Sequence, residues 1–115
     1  MDRKPVITVT VCAFSGRRNP QWTITEQDYH KLLLLAERCP PAHPQEHPAL
    51  LGYTGIVVTG GEKRIHVFRH IITITDDRQK LGYADRDGVM ERKLLHTGPV
   101  AIVQEIKGFL PEELY

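Results

Sequence analysis

Residues 6–14 alternate strictly, with Ile7, Val9, Val11 and Ala13 on one side and Val6, Thr8, Thr10, Cys12 and Phe14 on the other. A period of two, with threonines on the second side, predicts a strand packed on one face and partly wet on the other. The period then changes. Tyr29, Leu32, Leu33 and Ala36 recur at helical spacing, with Leu35 and Cys39 outlying. Thr25 is placed as an N-cap, Asp28 at the third helical position, and Ile24 where it can staple onto Tyr29. Pro40-Pro41 stops this helix, expected over roughly residues 25–38.

Residues 40–50 form a proline- and histidine-rich surface loop. Beyond it, two β-rich runs, residues 55–59 and 64–68, flank Gly60-Gly61, the signature of a two-residue hairpin in which both central residues take positive φ. The apolar pattern continues through residues 71–75, interrupted by Arg69-His70, and fits one bent strand or two strands equally. Residues 76–80 make a charged turn, and a second helix is expected from about Asp87 to His96, with Gly98 as its stop. Residues 99–107 fit a helix with Pro99 at its first position, and Val100-Ala101-Ile102-Val103 fits a strand almost as well. Together these elements predict an α+β domain. Its small antiparallel sheet of three to four strands would carry one long helix after the first strand and one or two C-terminal helices on one face.

The length of 115 residues fits a single domain over residues 1–115. Fifteen basic and fourteen acidic residues give a net charge of +1, which argues against nucleic acid as a partner. No apolar run reaches the roughly 20 residues of a spanning helix, so no membrane role is expected. Thr8 and Thr10 interrupt the only segment that imitates a secretory signal. Cys12 and Cys39 read as free thiols of a cytoplasmic protein, a disulfide between them staying open.

Candidate chemistry concentrates in Ser15-Gly16-Arg17-Arg18-Asn19-Pro20-Gln21-Trp22, a glycine-containing, doubly basic segment between the first strand and the helix. Backbone N–H groups, the positive helix end and two guanidinium groups could together hold an anion. The segment lacks the spaced glycines of the Walker and dinucleotide fingerprints. Asn19-Pro20 also forms turns, and Trp22 is expected to pack over the first helical turn. His43, Glu46 and His47 satisfy H-x-x-E-H, but Pro44 and Pro48 oppose the helix a zinc peptidase needs, which leaves non-catalytic zinc or copper capture in a flexible loop. His66 and His70 would lie about 13 Å apart on one strand face unless the chain turns between them. Cys12 near the basic loop is a candidate nucleophile with no histidine placed beside it by sequence.

The resulting expectation is a small binding or accessory module. Ser15, Gly16, Arg17, Arg18, Asn19 and Trp22, joined by Lys63 and Arg64 of the hairpin tip, would contact an acidic protein partner or a small anionic ligand. The alternatives are a metal-binding protein using His43, Glu46 and His47, a small cysteine-dependent enzyme, and self-assembly into a homo-oligomer through an open sheet face.

Overall fold

The computed structural model describes residues 6–14, 16–111 and 114. Strand β1 (Ile7–Val11) buries Ile7, Val9 and Val11 completely and leaves Thr8 and Thr10 half-buried, as its alternation demands. The chain does not pass from β1 directly into the helix. It turns back as β2 (Gln21–Ile24), antiparallel to β1 with Val9 opposite Trp22, and only then enters α1 (Glu26–Glu37). Trp22 therefore lies in a strand rather than over the helical turn. Its ring rests on Gly98, where a Cβ would stand 2.7 Å from it, and its Nε1 donates to Thr97 Oγ1 at 2.9 Å. The start of α1 follows its local chemistry: Thr25 Oγ1 accepts the Asp28 N–H at 3.0 Å.

Helix α1 buries Tyr29, Leu32 and Ala36 and carries the chain from one sheet edge to the other, where Pro41–Ala42 add the short strand β3. Four further strands fill the space between: β4 (Ile56–Thr59), β5 (Arg64–Phe68), β6 (Ile71–Thr75) and β7 (Lys80–Ala84). The order β2-β1-β4-β5-β6-β7-β3 is antiparallel throughout. This overturns the expected sheet of three to four strands with the helix straight after the first. The described residues are sheet-rich, with seven strands and three short α-helices.

The β4–β5 turn is longer than two residues, since Val58 pairs with Ile65. Its glycines are used for close approach. Gly60, at φ +96°, lies against the Val6 carbonyl with no room for a Cβ, and Gly61 sits under the Tyr29 ring. The tight two-residue turn occurs instead between β5 and β6, where Phe68 faces Ile71 and both Arg69 (φ 49°) and His70 (φ 66°) are left-handed. Residues 64–75 are thus two strands, and residues 100–106 are a helix, α3 (Val100–Ile106).

Between them α2 (Val89–Leu95) is capped by the buried Asp85 carboxylate, which accepts from Met90 N at 2.8 Å and Glu91 N at 3.1 Å. One core joins the inner sheet face to Leu32, Leu94, Leu95, Ile106, Leu110 and Leu114. The outer face is partly covered. The proline-rich segment lies across it as a strap, Gln45 N donating to Thr73 Oγ1 at 3.1 Å and Gln45 Nε2 to the Phe68 carbonyl at 2.6 Å.

Candidate functional site

The basic loop follows β1. Asn19 anchors it, its Oδ1 accepting from Ala13 N at 3.0 Å and Phe14 N at 2.9 Å, and Val11 N donates to the Pro20 carbonyl at 3.0 Å. Asn19 is thereby a structural residue, as is the buried Trp22. Ser15 lies outside the described residues, and Gly16 is exposed.

The two arginines have different settings. Arg18 is exposed, whereas the Arg17 guanidinium lies 3.8 Å from the Phe14 ring centroid and 5.5 Å from that of Phe109. Phe14 and Phe109 meet edge to face, centroids 4.9 Å apart. Phe14, Arg17 and Arg18, together with Pro20 and with Ile102, Glu105 and Ile106 of α3, border a groove of about 650 Å3. Among the described residues, neither arginine has a carboxylate within 4 Å. Stacking occupies the face of the Arg17 guanidinium and leaves its edge N–H groups for a carboxylate or phosphate. Glu105 leaves the lining with a surplus of one positive charge.

Lys63 and Arg64 do not join this surface. Gly60 packs on Val6, just before β1, while the basic loop begins beyond the other end of that strand, more than about 15 Å away. Lys63 pairs with Glu37 at 3.5 Å, and its backbone N–H and C=O both bond the Tyr29 hydroxyl at 2.9 Å. Arg64 serves the outer face, where its charge acts on Cys12, His47 and His66.

The proposed metal ligands are dispersed. Glu46 is paired with Lys80, which holds its carboxyl below the usual range. His43 is exposed. His47 stacks on His66, rings 4.5 Å apart and 8° from parallel, while its Nε2 lies 3.0 Å from Thr54 Oγ1. Lone pairs in parallel ring planes do not converge on one ion. No group of three or more His, Cys, Asp or Glu that could hold a metal occurs among the described residues. His66 is buried with Nε2 2.9 Å from the Thr54 carbonyl, and His70 sits in the β5–β6 turn with Nδ1 3.2 Å from the Asp85 carbonyl.

Cys12 also belongs to the outer face, half-buried beside Thr54. Burial pushes its thiol up, against smaller opposing effects of Arg64 and of the Thr54 hydroxyl, so it stays protonated at neutral pH. The same holds for Cys39, raised by burial at the end of α1.

Sequence reasoning missed Phe14, Ile102, Glu105 and Ile106 as groove residues and Phe109 as the ring beside Arg17. Ile102 and Ile106 do carry a signal, being four apart and so on one face once the segment is helical. Phe109 carries none, because its meeting with Phe14 is purely tertiary. No helix among the described residues is long and apolar enough to cross a membrane. No known protein family, curated protein or solved structure matches the chain.

Proposed function

We propose that the protein is a small binding module that takes an acidic group, carried by a protein partner or a small ligand with an apolar body, in the groove bordered by Arg17 and Arg18. The observation that carries this reading is the Arg17 guanidinium, stacked on Phe14 and Phe109 with no carboxylate in reach among the described residues. Stacking pre-orders a side chain that otherwise loses about 2 kcal/mol of rotamer entropy on binding. Ile102, Ile106 and Pro20 supply an apolar wall beside it, the arrangement expected for an amphipathic anion.

The test is titration with hexanoate, a carboxylate on a short apolar chain, read by calorimetry against wild type and Arg17→Ala/Arg18→Ala. The expected result is saturable binding, weakened at least about tenfold in the double variant, since hydrogen bonds to charged groups contribute about 1.5–3 kcal/mol. The thermal midpoint should fall only a few degrees, because an exposed cation–π contact contributes about 0.5–1 kcal/mol. Equal binding by both proteins would remove the reading.

A further inference from the structure

We propose that the partner of this groove is an extended peptide segment with two carboxylates flanking an apolar centre, one held by Arg17 and Arg18, the other by Arg69. The inference rests on the reading of the Arg17 groove given above and names its ligand class.

A second groove, of about 320 Å3, opens beside the first. Phe68, Arg69, Phe109, Pro111 and Tyr53 border it. Its Arg69 repeats the arrangement at Arg17, with the guanidinium 4.9 Å from the Phe68 ring centroid. Tyr53 meets Phe68 edge to face at 5.8 Å, as Phe14 meets Phe109. Phe109 connects the two grooves: it borders the second, stacks under Arg17 of the first, and is 54% exposed. Like Arg17, Arg69 has no carboxylate within 4 Å among the described residues. Glu91 also borders the second groove, its carboxylate accepting the Tyr53 hydroxyl, so a ligand acid is held there by direct pairing with Arg69 and not by a net positive lining.

The backbone at Arg69 points the same way. A two-residue turn with both central φ positive favours Asn-Gly, and here it holds Arg69 and His70. In this turn the Arg69 guanidinium lies on the ring of its neighbour Phe68.

Geometry selects the form of the ligand. Phe14 follows the end of β1 by three residues and Phe68 ends β5, at the same end of the sheet, since Cys12 N donates to the Gly55 carbonyl and Gly55 backs onto Phe68 Cβ. β4 alone lies between these strands, so the strand ends that lead to Arg17 and Arg69 are two strand spacings, roughly 10 Å, apart. Three residues of a polyproline-II segment cover about 9 Å and complete one turn, so side chains three apart share a face, whereas residues three apart on a helix lie only about 5–6 Å apart. A single carboxylate reaches one end only. A polyproline-II segment with acids three positions apart reaches both, its central residues over Phe109.

The experiment compares acetyl-Glu-Leu-Leu-Glu-amide with acetyl-Glu-Leu-Leu-Gln-amide on wild type, Arg69→Gln and Arg17→Ala/Arg18→Ala, with hexanoate as the one-carboxylate probe. The two-carboxylate peptide is expected to bind wild type about tenfold more tightly than the one-carboxylate peptide. Arg69→Gln should erase that preference while leaving hexanoate binding unchanged. Equal affinities of the two peptides for wild type, or a preference that survives Arg69→Gln, would overturn the inference while hexanoate binding upholds the Arg17 site. Failure of hexanoate as well as both peptides would overturn the site itself.

Discussion

The imidazoles of His47 and His66 lie face to face, ring centroids 4.5 Å apart and planes 8° from parallel, and this stack fastens the proline-rich strap to the outer face of the sheet. His66 is buried, while His47 comes from the strap itself. Burial is the leading cause that holds the His66 imidazole below the ordinary histidine range, and partial desolvation lowers that of the largely exposed His47 in the same direction, with Arg64 adding repulsion to both. The other groups around the stack are the neutral Cys12 thiol and, farther along the strap, the Glu46–Lys80 pair.

Acid should therefore weaken the fold at this stack. A histidine whose folded value lies below its unfolded value near 6.5 binds protons more readily in the unfolded chain. Its contribution is complete above about pH 6.5 and is lost as the pH falls toward and through the folded value, with a slope of at most about 1.4 kcal/mol per pH unit. Urea midpoints measured between pH 8 and 5 should show this decline for wild type and a shallower one for His47→Phe, which keeps a stacked ring without the charge. Identical profiles would show that the stack does not report the acid sensitivity.

Tyr29 and Gly60 should prove costly to change. The buried Tyr29 hydroxyl satisfies both backbone groups of Lys63, so Tyr29→Phe should destabilise by about 1–3 kcal/mol. Gly60→Ala drives a Cβ into the Val6 carbonyl at a φ that L residues avoid, and should lose about 2 kcal/mol or more. Chemical denaturation with an unchanged slope checks both; a Gly60→Ala protein as stable as wild type contradicts the packing of that turn.

At the β5–β6 turn, the backbone conformation should decide the outcome. His70→Val puts a β-branched residue at φ 66° and should cost about 2 kcal/mol. His70→Gly should be close to neutral, relief of the left-handed strain of about 1–2 kcal/mol being offset by the lost bond to the Asp85 carbonyl and by a more flexible unfolded chain. Equal losses in the two variants would place the role of His70 in its side chain rather than in the turn.

Asp85 should be the most sensitive helix cap. Its carboxylate accepts two N–H groups at the start of α2 and is only 1% exposed, so Asp85→Ala should lose about 2 kcal/mol or more, and Asp85→Asn less. Thermal unfolding of the pair provides the comparison.

What could be read from the chain beforehand follows the range of the interactions. Thr25 capping α1 and the alternation of β1 are local, and both stand as the sequence indicates. The four residues of β2 fail as a local signal because Trp22 reads as a loop aromatic until Val9 is opposite it and Gly98 beneath it. Gly60-Gly61 looks like a tight turn although its glycines answer to Val6 and Tyr29, which the chain supplies from elsewhere. The real tight turn falls on Arg69-His70, residues with no turn preference, held left-handed by the pairing of Phe68 with Ile71. At the site, the two arginines of the loop were visible, but the phenylalanine that joins Arg17 to the second groove comes from after α3, and the lysine–arginine tip proves to lie at the far end of β1.

The most direct measurement is a titration of isotope-labelled protein with hexanoate, followed by backbone amide shifts. The account predicts saturable shifts confined to residues 14–20 and 102–109, absent in Arg17→Ala/Arg18→Ala. Shifts that fail to saturate, that spread evenly over the surface, or that persist in the double variant would contradict it.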